Sequence, residues 1–522
     1  MKRPEFRNET FQDFTKPEIR EKMEAALDKA QKKCGHMHSI VIGGKRVKAP
    51  DQFVSHNPSD PEQVVGVFQT GTADFGVKAI DTALKTFETW SHTPAEQRAE
   101  FCFKTADKLR ERRCELAAWM VLEVGKSWVE ADADVAEAID LVEFYGHEVL
   151  RYGGPQPLTR IPSENNELRY IPLGVGIVIP PWNFPVAIMA GMTTGAFACG
   201  NTVILKPSSQ APMCATKFVE VLEEVGLPPG VVNLVTGPGA KLGEALVAHP
   251  KTRFISFTGS KEVGLRINEL AARHQPGQLW IKRVIAEMGG KNAIIVDDEA
   301  DIPAAIGGVL ASAFGYSGQK CSACSRAVVV KDVYEKFLSG LVERAKAITV
   351  GDVRDPNNYM GPVISLDAMA TILNYIEMGR LEGKLALGGN RIGNKGCFIE
   401  PTIFTEIDRK ATIAQEEVFG PVLAVMKAKN FDDALDITNN TEYGLTGSLY
   451  TTNPKKMAIA ADRFHVGNLY FNRKSTGAFV GVHPFGGFNM SGTDSKAGGR
   501  DYLLLFSQAK AISEKTASEQ TG

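Results

Sequence analysis

Between residues 170 and 272 the chain alternates short apolar runs with amphipathic stretches, and this alternation constrains the fold more than any other feature. Strands are read at 175–179 (Val-Gly-Ile-Val-Ile), 202–205, 231–235 and 254–257. Helices are read at 186–199, 213–225, 241–248 and 261–272. The strand runs are almost continuously apolar, as expected when both faces of a sheet are covered, so a doubly wound parallel sheet is predicted. A second series follows Glu287, with strands at 293–296, 327–330 and 422–426 and helices such as 333–347 and 431–438. It reads as a second α/β domain, and 522 residues exceed what one core usually serves. Upstream, 74–152 has helical spacing, clearest at 95–112, and Gly153-Gly154-Pro155 ends it. Residues 1 to about 50 read as peripheral, with one amphipathic helix near 18–32. The polar tail from Ser513 is expected to fray.

A formal net charge of −2 and the absence of a basic stripe argue against a nucleic-acid partner. The run Lys108, Arg110, Arg112, Arg113 reads as a solvated helix face. No window approaches the ~20 apolar residues needed to span a bilayer. The charged N-terminus lacks a signal-peptide core, so no membrane partner and a cytoplasmic location are expected. Eight cysteines in a chain this long are no disulfide scaffold. Cys321-x-x-Cys324 could be a redox pair or half a metal site. Against both, a β-rich run follows rather than a helix, and no second Cys/His pair stands at ligand spacing. No metal is expected.

Cys321 lies between a Gly/Ser-rich turn (Phe314-Gly315-Tyr316-Ser317-Gly318) and an apolar run. Glu287 stands in Glu287-Met288-Gly289-Gly290-Lys291, at the junction near 288. A thiol and a carboxylate on glycine-rich corners suggest nucleophile and general base. Lys206-Pro207-Ser208-Ser209 follows a strand, at the sheet edge where open α/β sheets bind ligands. Gly259-Ser260 ends another strand and opens a helix. That suits a phosphate, although Ser260 could equally be a plain N-cap. Gly174-Val175-Gly176 precedes its strand and is not a dinucleotide fingerprint.

Six motifs in order then resemble the aldehyde dehydrogenase superfamily over essentially the whole chain. They are Pro181-Trp182-Asn183-Phe184-Pro185, Lys206-Pro207-Ser208, Gly259-Ser260 through Gly264, Glu287 to Lys291, Gly318-Gln319-Lys320-Cys321, and Glu417-Val418-Phe419-Gly420-Pro421. The resemblance implies two doubly wound α/β domains plus a small β oligomerisation flap. Residues 1–153 and 170–287 would form the NAD(P)-binding domain and 288–483 the catalytic domain. Residues 154–169 and 484–522 would form the flap and C-terminal segment, pairing subunits into homodimers or assemblies of them. It implies Cys321 as nucleophile, Glu287 as the base that activates water, and Asn183 with the Cys321 N–H as oxyanion donors. It places Lys206, Ser208, Ser209, Gly259, Ser260, Glu417 and Phe419 on the cofactor. NAD-preferring members often carry a glutamate where this chain has Ser209, so NAD use with NADP tolerated is expected.

A closer likeness, in Cys321-Ser322-Ala323-Cys324-Ser325-Arg326 and Pro484-Phe485-Gly486-Gly487, is to the branch that oxidises L-glutamate γ-semialdehyde in proline breakdown. It implies that Ser322, Gly477 and Ala478 grip the substrate carboxylate, within Ser475-Thr476-Gly477-Ala478. Phe184 and Phe485 would wall the aliphatic part, or could equally be core. Glu137 would face the ammonium, although sequence alone favours a solvated helical glutamate there. The chain has no room upstream for a proline-oxidising domain and looks monofunctional. The nearest competing reading is another ω-semialdehyde, such as succinic semialdehyde.

Overall fold

The computed structural model describes residues 5–516. Two seven-stranded sheets organise it. In the first, the order is Arg283–Glu287, Phe254–Thr258, Val175–Ile179, Thr202–Leu205, Val232–Leu234, Ile40–Ile42 and Lys45–Val47. The first five strands are parallel and the last two are antiparallel additions. Both faces are covered. Val175 and Ile177 pack on one side with Ile80 and Leu246, while Val178 packs on the other with Val186 and Phe197. Each such fully buried aliphatic contributes about 1.5–3 kcal/mol, which is why these strands read as unbroken apolar runs.

The second sheet has the order Lys384–Leu387, Thr402–Thr405, Val422–Ala428, Cys324–Val330, Asn292–Val296, Thr446–Tyr450 and Asn468–Phe471. Only its first strand is antiparallel. Ile295 and Val328 face one core, and Ile294 and Val329 the other. A separate antiparallel ribbon joins Glu164–Pro172 to Ser507–Lys515, from Ser507 opposite Pro172 to Lys515 opposite Glu164.

Three sequence expectations change. Of the stretch read as peripheral, the described part from residue 5 to about 50 is not so. Ile40–Ile42 is a buried strand of the first sheet, and Met23, Leu27 and Ala30 of helix Pro17–Lys32 are buried. The basic run is not a solvated face. Arg113 is buried and grips Asp132 with two bonds of 2.6 and 2.7 Å, and Arg112 pairs with Glu115, Glu220 and Glu224. The tail does not fray at Ser513, because Ser513, Glu514 and Lys515 stay paired with Asn166, Asn165 and Glu164. The rest of it, 517–522, lies outside the described residues. Periodicity registered none of these, since each depends on a partner distant in sequence.

Candidate active site

The turn that leads into Cys321 is built from strained backbone. Tyr316, Ser317 and Gly318 have φ of 51°, 55° and 69°, all in the left-handed region. Gly318 is required there twice over, because a Cβ would also strike the Gly420 carbonyl. Non-glycine residues at positive φ need compensation. The Tyr316 hydroxyl donates to the Val124 carbonyl at 2.8 Å, and the Ser317 hydroxyl to that of Gly361 at 2.8 Å. Buried Gln319 donates to the Pro362 carbonyl at 3.2 Å and accepts from the Ile364 N–H at 2.8 Å. Lys320 reaches both oxygens of Glu130, at 2.6 and 2.7 Å. The turn that presents Cys321 is therefore held from several sides.

Around the thiol the structure gathers three of the expected groups. The Asn183 side-chain amide donates to the Gln319 carbonyl at 3.1 Å, which leaves its second N–H for an oxygen on the substrate. Glu287 ends strand Arg283–Glu287. Its carboxylate accepts from the Ser495 hydroxyl and from the Gly487 N–H, the latter at 3.3 Å. The corner that follows lies against the nucleophile turn, since a Cβ at Gly290 would sit 2.8 Å from the Cys321 carbonyl oxygen. A Cβ at Gly289 would collide with the Glu417 carboxylate, which accepts instead from the Gly290 N–H at 3.0 Å. The two glycines let Glu287, Cys321 and Glu417 converge.

Electrostatics decide their resting states. Burial pushes the Cys321 thiol up to about 12, and the Glu417, Glu287 and Glu137 carboxylates add to this. No side-chain cation lies within hydrogen-bond distance of it among the described residues, so the thiol rests protonated. Burial raises Glu287 to about 8, partly offset by Ser495 and Gly487. It raises Glu417 to about 7, partly offset by the Gly290 N–H. Perturbed groups of this kind cluster where chemistry occurs.

At the neighbouring sheet edge, Lys206 is buried, and among the described residues its ammonium hydrogen-bonds only the Pro207 carbonyl, at 3.1 Å. Burial without a carboxylate partner lowers it to about 8. Two of its three N–H donors have no acceptor among the described residues. Ser208 caps its own turn, accepting from the Gln210 N–H at 3.2 Å, and Ser209 is exposed. Ser260 is the N-cap of helix Lys261–Ala272, accepting from the Val263 N–H at 3.3 Å. The Gly259 N–H bonds the Glu287 carbonyl at 3.1 Å, so this turn abuts the catalytic corner. Phe419, at φ 54°, packs edge-on against Trp182 with centroids 5.5 Å apart.

On the opposite side, the Ser475 hydroxyl donates to the Ser322 carbonyl at 3.2 Å, which brings the 475–478 loop onto the nucleophile turn. Arg473 binds the Thr476 and Gly477 carbonyls at 3.1 and 2.7 Å. The N–H groups of Thr476, Gly477 and Ala478 have no partner among the described residues. Phe184 lies beneath Lys126, whose Nζ is 3.8 Å from the ring centroid. Phe485 is half-buried, with its backbone exchanging bonds with Ala497. Glu137 is not a solvated helix residue. It is recessed, has no hydrogen-bond or ion-pair partner among the described residues, and is raised to about 8 by burial and then by Asp134. Cys324 is buried, with its sulfur turned to the Arg326 carbonyl at 3.4 Å.

The aldehyde dehydrogenase family model matches residues 46–512. This chain belongs to the aldehyde dehydrogenase family. It is 54% identical over 509 residues to a 1-pyrroline-5-carboxylate dehydrogenase of Geobacillus kaustophilus, covering 98% of this chain and 99% of that one. A Thermus 1-pyrroline-5-carboxylate dehydrogenase solved with bound NAD superposes with a TM-score of 0.97 at 49% identity, covering 99% of this chain and 100% of that one. A betaine aldehyde dehydrogenase of Staphylococcus aureus, in complex with NAD+, superposes with a TM-score of 0.89 at 30% identity, covering 96% of this chain and 99% of that one.

This aldehyde dehydrogenase also relies on residues that sequence reading passed over. Asn292 donates to the carbonyls of Cys321 and Ala323 at 2.7 and 2.9 Å and accepts from the Thr446 N–H at 2.9 Å. Asp134, paired with fully buried Lys126 at 2.7 Å, accepts from the Ala187 N–H at 2.6 Å. It thereby holds the start of helix Ala187–Ala198, directly after the loop bearing Asn183. Lys126 and Asp134 carried no signal of their own, standing among the many charges of 108–143. For Asn292 there was none beyond its place after Gly-Gly-Lys.

Proposed function

We propose that this enzyme oxidises L-glutamate γ-semialdehyde, the open form of 1-pyrroline-5-carboxylate, to L-glutamate with NAD, the second step of proline breakdown. The observation that carries the reading is the row of three N–H groups at 476–478 without partners among the described residues, on the loop that Ser475 ties to the turn bearing Cys321 and Ser322. Convergent backbone donors suit a carboxylate. Recessed Glu137, without a partner, suits the ammonium of the same amino-acid end.

NAD fits the residues present. Lys206 lacks an acceptor that ribose hydroxyls supply, the N-terminus of helix Lys261–Ala272 suits a pyrophosphate, and Glu417 and Phe419 line the nicotinamide end. The chemistry NAD supplies when bound is hydride acceptance. Cys321 forms a bond from sulfur to the aldehyde carbon, while the carbonyl electrons move to oxygen. The second N–H of Asn183 and the Cys321 N–H hold that oxygen, as charge developing there requires. The thiol proton leaves with the attack and passes to the ionised fraction of Glu287, whose value of about 8 suits it to take a thiol proton, and Glu287 gives that proton to solvent before the next step. Once the carbon has lost its hydride, Cys321 carries a thioester. Ionised Glu287 then takes a proton from water, hydroxide adds to the thioester carbon, and the Cys321 sulfur departs. Exposed Ser209 leaves space for a 2′-phosphate, so NADP is tolerated.

We assign the NAD(P)-binding domain to 1–153 and 170–287, the catalytic domain to 288–483, and the flap and C-terminal segment to 154–169 and 484–522. The ribbon Glu164–Pro172 with Ser507–Lys515 pairs copies of the chain into a dimer, and the location is cytoplasmic. Steady-state oxidation of glutamate γ-semialdehyde and of succinic semialdehyde, each with NAD and NADP, tests the substrate. Comparable kcat/KM on succinic semialdehyde overturns the assignment.

A further inference from the structure

Residues 6–14 lie upstream of the region that the family model matches, yet they bridge helix Trp128–Tyr152 to the loop at 479–480. Asn8 is the hinge of the arrangement. Its side-chain nitrogen gives one hydrogen bond to Asp140 on helix Trp128–Tyr152 and one to the Val480 carbonyl, both at 3.0 Å. Both amide hydrogens are thus spent bridging a helix to a loop. The Glu9 N–H adds a second bond to Asp140 at 2.7 Å, and the Gln12 N–H bonds Asp132 on the same helix at 2.8 Å. Aromatic contacts repeat the pattern. Phe6 packs edge-on against Phe144 of the helix with centroids 5.2 Å apart, and Phe11 stacks on Phe479 of the loop at 6.2 Å.

The basic run that reads as a solvated face is what fastens this segment. Arg113 bonds the Thr10 carbonyl at 2.9 Å as well as Asp132, and Arg110 bonds Glu9 at 2.8 Å. The two bodies joined in this way carry opposite halves of the proposed amino-acid pocket. Helix Trp128–Tyr152 bears Glu137, and the loop at 479–481 continues directly from the free N–H groups at 476–478. Among the described residues, no hydrogen bond, ion pair or ring contact joins 6–14 to Cys321 or to Lys206–Ser209.

We propose that residues 6–14 are a specificity strap that sets the spacing between Glu137 and the 476–478 loop, and so determines how tightly the α-amino-acid end of the substrate is held. This rests on the substrate reading above. Its residues are positioning residues, acting through the helix and the loop. Binding of the distal end is lost equally from substrate and transition state when the spacing relaxes, which raises KM and leaves kcat in place.

The test uses the full-length enzyme with Asn8→Ala, Phe11→Ala and the double variant, alongside deletion of residues 1–12. The point variants keep the question answerable if the deletion does not fold. Kinetics are measured with glutamate γ-semialdehyde and with butanal, which has no amino-acid end. For the double variant, KM for glutamate γ-semialdehyde is expected to rise ~10-fold with kcat within ~2-fold, and kcat/KM for butanal to stay within ~2-fold. Parallel loss on both aldehydes means the strap is only structural and overturns the proposal, as does an unchanged KM. Failure of the substrate reading shows separately, as a wild-type enzyme that does not prefer glutamate γ-semialdehyde over butanal.

Discussion

The two large sheets meet the site by opposite edges. The first offers its carboxyl edge: Lys206, Gly259 and Glu287 all stand where a parallel strand ends. The second offers its amino edge. Cys321 precedes strand Cys324–Val330, Glu417 precedes Val422–Ala428, and Asn292 opens Asn292–Val296. The carboxyl edge of a parallel sheet is the usual place for ligands, and there simple caps and strand ends suffice. The amino edge has no such convenience. Cys321 is presented on a left-handed turn, and Asn292, Ser475 and Thr446 bond the backbone carbonyls of 321–323 to hold it. The proposed cofactor residues sit where strand ends deliver them, whereas the proposed nucleophile sits where side chains force the backbone to go.

That contrast can be broken at its strongest point first. Cys321→Ala should abolish oxidation, by ~10⁴-fold or more in kcat, while NAD binding measured by fluorescence titration stays within ~2-fold. Loss of both would mean that the two edges are not separate in function. Asn183→Ala removes an oxyanion donor and should lower kcat by ~10²–10³-fold, about 3–4 kcal/mol. Alkylation of Cys321 by iodoacetamide, which forms no oxyanion, should continue at close to the wild-type rate. Equal slowing of both reactions would show that Asn183 serves only to pack the turn.

The next test addresses Glu287, the carboxyl-edge residue that works on the amino-edge thiol. Its carboxyl is raised to about 8, so it is protonated below that pH and cannot take a proton from water. The single-turnover rate of thioester hydrolysis should rise with pH up to about 8 and then level. Between pH 6 and pH 8 that is a ~10²-fold change for one proton. In Glu287→Gln the slope should vanish and the thioester should accumulate, visible by mass spectrometry after acid quench. A slope that persists in the variant would assign the base elsewhere. The smallest effect tests the carboxyl edge alone. Ser209→Glu should lower kcat/KM for NADP by ~10-fold, as a like charge meets the 2′-phosphate, with the NAD value little changed.

Much of this arrangement was legible in the residues. The strands at 175–179 and 202–205 coincide with those observed, because burial on both faces leaves an unbroken apolar run. The fold class and the family followed from motifs that each carry their own local geometry. Asn292 was not legible, since an asparagine at a strand start looks the same whether or not it holds a carbonyl 29 positions away. Glu137 on its helix gave a solvated reading, and only the packing of neighbouring elements withdraws it from water. Arg110 and Arg113 looked like a surface run, because their partners Glu9 and Asp132 come from segments whose approach has no periodic signature.

The sequence by itself determined the two α/β layers, the glycine corners at 289–290 and 318, and the thiol and carboxylate that stand beside them. Those properties are local: hydrophobic period, positive φ and the space that a missing Cβ leaves. Tertiary structure alone decided that Cys321 rests protonated among three acidic side chains, that Glu137 faces inward without a partner among the described residues, and that residues 6–14 reach the loop at 479–480. Protonation and specificity depend on which groups are brought together and how much water is excluded, and both are set by contacts between residues far apart in the chain.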